Sequence, residues 1–148
     1  MAFDAFLKIE GIEGDSQQKG HEHEIEVSAF NWGETQTGNI GSGGGGGAGK
    51  VQMQDFHFTM KSSTASPTLM RSCASGEHIK DATLTCRKAG GSQQEFMVIK
   101  MTDILVSQYS IGGSAGAEGS DPDDLLSLAF VKIDFVFRRT NEKGEPVG

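Results

Sequence analysis

Leu125-Leu126-Ser127-Leu128-Ala129-Phe130-Val131-Lys132-Ile133-Asp134-Phe135-Val136-Phe137-Arg138-Arg139 is the stretch on which the fold turns. Val131, Ile133, Phe135 and Phe137 fall at every second position, a period of two that predicts a strand with one face toward a core. Ser127, Lys132 and Asp134 interrupt the run, and it is too short to cross a bilayer as a helix, so no membrane insertion is expected. The same period recurs upstream. Val51 to Lys61 reads as one long strand with Phe56, Phe58 and Met60 on one face and Asp55, His57 and Thr59 on the other. Phe3, Ala5, Leu7 and Ile9 alternate with Asp4, Phe6, Lys8 and Glu10, and Ile25, Val27 and Ala29 oppose Glu24, Glu26 and Ser28 in a run ending near Trp32 and Gly33. Asp81 to Lys88, with Ala82, Leu84 and Cys86 inward, and Glu95 to Ser107, interrupted near Asp103, supply two more strands.

Between these runs lies one helical signal. Ser66 as N-cap, Pro67 at the first helical position and Gly76 as a left-handed C-cap predict a helix from Pro67 to Ser75, with Leu69, Met70 and Cys73 as its packing stripe. Ala89 to Ser92 reads as a hairpin turn, and Gly11 to Gly20 and Gly112 to Asp124 as loops. Six or more strands with one helix and no strand-helix alternation predict a mainly β protein. The expected form is a compact antiparallel β-barrel with one short flanking α-helix, because closure removes free edges. Residues 1–139 are expected to form a single barrel domain, with Phe56, Phe58, Val131, Ile133 and Phe135 filling its interior, and residues 140–148 a polar C-terminal tail.

Across the 148 residues, 13 Lys and Arg stand against 20 Asp and Glu, a net charge of -7, which disfavours nucleic acid as a partner. Met1 to Ile9 lacks the basic and apolar regions of an export signal, and Cys73 and Cys86 lack metal or redox spacing, so reduced thiols in a cytoplasmic setting are expected. No cofactor or metal is expected. Gly44 to Lys50 fits G-x-x-x-x-G-K, but Val51 stands where a phosphate loop needs Ser or Thr, and a β-period run follows instead of a helix. His21 and His23 are too few for zinc and are read as solvated loop residues, and no Ser or Cys has the context of a nucleophile. An enzyme is therefore not expected.

Charge is nonetheless polarised: Met1 to Phe30 holds two Lys against seven acids, and Lys50 to Lys100 seven bases against four acids. Opposite charge on two surfaces suits head-to-tail self-association. Gly38 to Gly49 holds eight glycines and little that packs, so it is read as an extended loop that orders against a neighbouring subunit. Gly38, Asn39, Ile40, Gly43, Gly44, Gly45, Gly46, Gly47 and Lys50 are its candidate contact residues.

The opening Met-Ala-Phe-Asp-Ala-Phe-Leu-Lys-Ile-Glu-Gly-Ile, Phe30-Asn31-Trp32-Gly33, GGGGGAGKVQMQD from Gly43 to Asp55, Ser66-Pro67 and Leu84 to Gly90 together closely resemble the Hcp family, in order from Phe3 to about Phe137. These are tube proteins of type VI secretion. The resemblance implies a β-barrel with a short helix that forms homohexameric rings, which stack into a hollow tube. It also implies partners in a spike protein, a contractile sheath and small effectors, and secretion without a signal peptide. A toxin domain fused after the barrel is not expected, since only nine residues follow Arg139. The other reading is a small-ligand-binding β-barrel module.

Overall fold

The structure, a computed structural model, describes residues 3–36, 51–89, 93–116 and 121–138. Along them run β1 (Phe3–Ile9), β2 (Ile25–Asn31), β3 (Glu34–Gln36), β4 (Val51–Met53), β5 (Phe56–Lys61), α1 (Ala65–Ser75), β6 (Ile79–Lys88), β7 (Glu95–Gly112) and β8 (Asp123–Phe137). Six strands close into an antiparallel barrel in the order β1-β2-β5-β8-β7-β6. The expected barrel with one flanking helix is the fold the chain adopts. Its interior is packed by Leu7, Ile25, Phe58, Leu84, Met101, Ile104 and Leu126, all almost wholly removed from water.

The strand expected over Val51 to Lys61 is two strands. β4 pairs with β3 through Glu34↔Met53, Thr35↔Gln52 and Gln36↔Val51, outside the barrel, and only β5 enters the wall. The reason is local: Val51 and Met53 have no core to face, and the chain turns at Gln54. That turn is held by the Trp32 indole N–H donating to the Gln54 carbonyl at 2.7 Å and by the Gln54 N–H donating to the Gly33 carbonyl at 3.0 Å.

The helix starts two residues earlier than expected, with Thr64 at the N-cap position and no side-chain cap. Ser66 is inside the first turn, where its hydroxyl accepts from the Ser63 N–H at 2.9 Å and donates to Asp124. Asp15, from the β1–β2 connection, takes the Thr64 N–H instead. The stripe also differs: Ala65, Ser66, Leu69 and Ser72 are buried, Met70 is exposed and Cys73 is half-buried. Gly76 caps the C-terminus as read, with φ 66 and its N–H on the Ser72 carbonyl. Asp124 is buried and accepts from the Ser62 hydroxyl at 2.7 Å, the Tyr109 hydroxyl at 3.1 Å and the Ser66 hydroxyl, so one carboxylate ties β8 to α1, β7 and the end of β5.

β1 buries both faces. Ala5, Leu7 and Ile9 enter the core as expected, but Phe6, on the opposite side, is 1% exposed because the β1–β2 connection folds over it. His21 stacks on the Phe6 ring at 4.4 Å and pairs with Glu24, while the Arg87 guanidinium lies 4.9 Å from the same ring and donates to the Gln18 side chain and the Lys19 carbonyl. The reading of His21 as solvated is thus overturned, since an aromatic on the outer face of a strand needs a cover.

β7 runs to Gly112, past the expected end at Ser107, and Asp103 bends it without breaking it. Asp103 takes a left-handed φ of 54, and the pairing with β8 keeps one register through Thr102↔Lys132 and Ile104↔Phe130. The largest departure is in β8. Leu126 and Leu128 are core residues, but Val131, Phe135 and Phe137 are exposed, and only Ile133 is partly buried. β5 pairs with β8 from Lys61↔Asp123 to Phe56↔Leu128 and no further, so beyond residue 128 the strand leaves the closed wall, held by β7 alone. The alternation is real, but Val131 and Phe135 do not fill the interior.

Candidate functional site

The feature that the fold leaves unexplained is this second half of β8. Val131 is 75% exposed, Phe137 63%, Phe135 58% and Val136 47%, an exposed apolar band along the second half of the strand, with Val136 on the opposite face from Phe135 and Phe137. Exposed apolar residues on this scale mark an interaction surface. The band adjoins a chain of aromatic contacts: Phe137 meets the buried Phe96 edge-on at 5.7 Å, Phe96 meets Phe3 at 5.7 Å, and Phe3, itself half exposed, meets Phe30 at 6.2 Å. The Lys88 ammonium covers the Phe96 ring at 4.2 Å. Along residues 129–137 the edge of β8 away from β7 pairs with no other strand among the described residues.

A contiguous Phe135-Val136-Phe137 was a signal available in the sequence. A strand that is apolar at consecutive positions has two faces to remove from water, and a single core covers only one. The loop residues proposed from sequence, Gly38, Asn39, Ile40, Gly43, Gly44, Gly45, Gly46, Gly47 and Lys50, lie outside the described residues. What is described is the base of that segment, where Gln36 and Val51 pair at the open end of the β3–β4 sheet.

The other candidate chemistry is spread apart. His21 sits in the cover over Phe6 and His57 bonds Ser127 on the barrel wall at 2.7 Å. Among the described residues no group of His, Cys, Asp and Glu could hold a metal ion. Cys86 is wholly buried in the core, and burial pushes its thiol up to about 11, so it is held in the protonated, unreactive form. Among the grooves over the described residues, one of about 380 Å³ is lined by Phe3, Ala5, Phe6 and Val27 together with Asp4, Glu26 and Lys61, and another of about 630 Å³ is rimmed by Glu10, Glu13, Glu22, Glu24 and Asp81. The second is rimmed by five carboxylates rather than by the apolar walls of a small-molecule site, and the first mixes the two kinds of lining.

Residues 6–137 match the sequence model of the family described as type VI secretion system effector, Hcp. The chain belongs to the Hcp family. It is similar to protein hcp1 of Pseudomonas aeruginosa, with 45% identity over 136 residues covering 91% of this chain and 84% of the relative. Among solved structures, one described as a type six secretion system protein superposes with a TM-score of 0.91 at 26% identity, over 99% of this chain and 91% of that one. Hcp1 of Salmonella typhimurium superposes at 0.78 with 33% identity, over 92% and 88% of the two chains. A type VI secretion system effector of Yersinia pestis gives 0.78 with 31% identity, over 94% and 93%. In this Hcp chain, therefore, the exposed band on β8 belongs to a protein of a secretion apparatus.

Proposed function

We propose that this Hcp chain is the structural subunit of a type VI secretion tube, forming hexameric rings that stack into a hollow tube, exported when a sheath contracts and carrying small effectors in its lumen. The observation that carries the reading is the exposed apolar band of β8, on a strand whose edge is open. A second copy is the surface that removes such a band from water at every position in a repeating assembly, and many modest contacts then sum. Catalysis has no part in it: the buried thiol is protonated and the hydroxyls of Ser62, Ser66, Tyr109 and Ser127 are engaged in structural hydrogen bonds. This reading takes residues 1–139 as a single barrel domain.

The glycine-rich segment serves contact between rings. Its described flanks, Gln36 and Val51, pair side by side in the β3–β4 sheet, outside the barrel wall. Gly38, Asn39, Ile40, Gly43, Gly44, Gly45, Gly46, Gly47 and Lys50 are the residues assigned to that contact. The spike and the sheath are the further partners, and secretion through the apparatus is the route.

Light scattering with negative-stain imaging tests this. Hexameric mass and rings are expected at micromolar concentration, with tubes at higher concentration. A monomer throughout would remove the tube reading.

A further inference from the structure

We propose that the groove between β1 and β2 is a binding site for a small zwitterion of the α-amino-acid class with an apolar side chain, its ammonium held between Asp4 and Glu26 and its carboxylate by Lys61. The site lies within a single chain and goes beyond the tube reading.

The groove exists because the barrel wall parts there. β1 pairs with β2 from Leu7↔Ile25 to Ala5↔Val27, and on its other side it stays paired with β6 through Asp4↔Arg87 and Phe3↔Lys88. β2 meanwhile follows β5, with a shift of register between Val27 and Ala29, at Ser28. Beyond Ala5↔Val27 the two strands therefore belong to different neighbours, and no ladder pair joins them among the described residues. An irregularity of this kind re-aims side chains and is common beside functional sites. The opening measures about 380 Å³, with Phe3, Ala5, Phe6 and Val27 as its apolar lining.

The register also places the charges. Residues paired across neighbouring strands point to the same face. Phe6↔Glu26 sets Glu26 beside Phe6 on the outer side of the wall, and Val27↔Met60, carried one step along the antiparallel ladder, sets Lys61 beside Glu26. Asp4, two residues before Phe6, shares that face. Glu26 and Lys61 are neighbours, yet no ion pair joins them among the described residues. Lys61 instead lies 3.9 Å from Asp121, a contact between two largely exposed groups that is too solvated to hold it.

Asp4 is positioned from behind by a buried base. Arg87 is 4% exposed, lies over the Phe6 ring and donates to the Gln18 side chain and the Lys19 carbonyl. Its Nε is the one buried side-chain polar atom without a hydrogen bond among the described residues, and it faces Asp4 Oδ2 at 3.9 Å, beyond hydrogen-bond length. Such an orphan is costly and calls for a partner. Asp4 is that partner: its side chain is half exposed on the groove, and an ammonium bound to it fixes the carboxylate so that the remaining gap to Nε closes.

The lining selects the ligand. Two carboxylates repel an anion, and a cation between them relieves their mutual repulsion. Lys61, one strand further on, then takes a negative group. Neighbouring strands lie about 4.8 Å apart, a span that an ammonium and a carboxylate borne on one carbon can bridge. The apolar lining takes a hydrocarbon side chain, as in sites where a few placed polar groups are set in apolar surface. A polyamine would meet Lys61 with like charge, and a fatty acid would meet Asp4 and Glu26 with like charge.

Ligand-observed saturation-transfer NMR on the full-length protein tests the site, since it reads weak binding at any size of assembly. L-Leucine is the probe, beside N-acetyl-L-leucine, which lacks the ammonium, and L-leucinamide, which lacks the carboxylate. Leucine is expected to bind saturably with a dissociation constant on the order of 1 mM, as suits so small a molecule in an open groove. Each analogue should bind at least about tenfold more weakly, having lost a charge-assisted contact. Glu26→Gln and Lys61→Met, both at exposed positions, should each weaken leucine about tenfold with thermal unfolding unchanged. Glu13→Gln, in the other groove, should leave leucine binding as it is. No saturable leucine signal from the parent, equal binding of the three probes, or leucine binding unaltered in both Glu26→Gln and Lys61→Met would overturn the proposal. None of these outcomes bears on ring formation, which light scattering reads separately.

Discussion

Replacing Asp124 should loosen the barrel at the point where four segments meet. The carboxylate is 1% exposed and accepts from the hydroxyls of Ser62, Ser66 and Tyr109. A hydrogen bond to a charged group contributes about 1.5–3 kcal/mol, and donors left without an acceptor add a desolvation penalty. Removing the buried carboxylate also removes its own cost of burial, and Ser62 and Tyr109 are near enough to the surface to be rehydrated. Asp124→Ala should therefore cost about 3–5 kcal/mol, less than the simple sum, and Asp124→Asn, which keeps one acceptor oxygen, about 1–2 kcal/mol. The assay is urea unfolding at fixed protein concentration, in a background carrying Val131→Lys so that association does not add its own stabilisation. With a urea slope of about 2 kcal/mol/M, Asp124→Ala should lower the midpoint by about 2 M. The single tyrosine gives a second readout. Burial raises the Tyr109 phenol above its ordinary 10.0, the Ser66 hydroxyl pulls it back, and the Asp124 carboxylate raises it again. A raised folded value means that its contribution to stability is complete below about pH 10 and is lost as pH climbs through the folded value. In Asp124→Asn the phenol should titrate at lower pH, read by absorbance at 295 nm. A midpoint within about 0.5 M of the parent, with an unchanged phenol titration, would refute the reasoning.

Val131→Lys and Phe135→Ser should each abolish rings in light scattering while changing monomer stability by less than about 1 kcal/mol, because both side chains are mostly exposed in the single chain. A large loss of stability would place them in the fold instead. Cys86 should resist Ellman's reagent at pH 8 in the folded protein and react once urea is added. Burial holds its thiol at about 11 rather than 9.0, so it stabilises the fold below pH 9 and that contribution disappears toward pH 11. Gly14→Ala should cost about 2 kcal/mol in thermal unfolding, since a Cβ there would sit 2.7 Å from the Glu24 carbonyl oxygen and 2.8 Å from Ile25 Cγ1. Gly112→Ala, where nothing lies within 4 Å, should stay within about 0.5 kcal/mol.

What was legible followed from periodicity acting over short distances. The alternation in β5 reflects one buried face, and Gly76 at a left-handed helix end reflects a backbone requirement that needs no tertiary knowledge. What was not legible depended on which segment meets which. Phe6 reads as the odd member of a polar face until His21 and Arg87 come over it from distant positions in the chain. Ser66 reads as an N-cap until Asp124, 58 positions away, claims its hydroxyl. Val131 and Phe135 carry the same pattern as core residues because the pattern records removal from water, whichever molecule does the removing. The candidate surface was visible as hydrophobicity and invisible as location.

Among the described residues β8 is the last strand made, and the two halves of its length differ in what they do. Its first half seals the barrel between β5 and β7, and its second half is the exposed band. During synthesis the sheet stays open until Asp123–Leu128 has emerged, and long-range closure of this kind is slow. The exposed band follows only afterwards, so a chain that stops before residue 129 lacks Val131, Phe135 and Phe137. On the tube reading, such a chain would be without the band that a second copy covers.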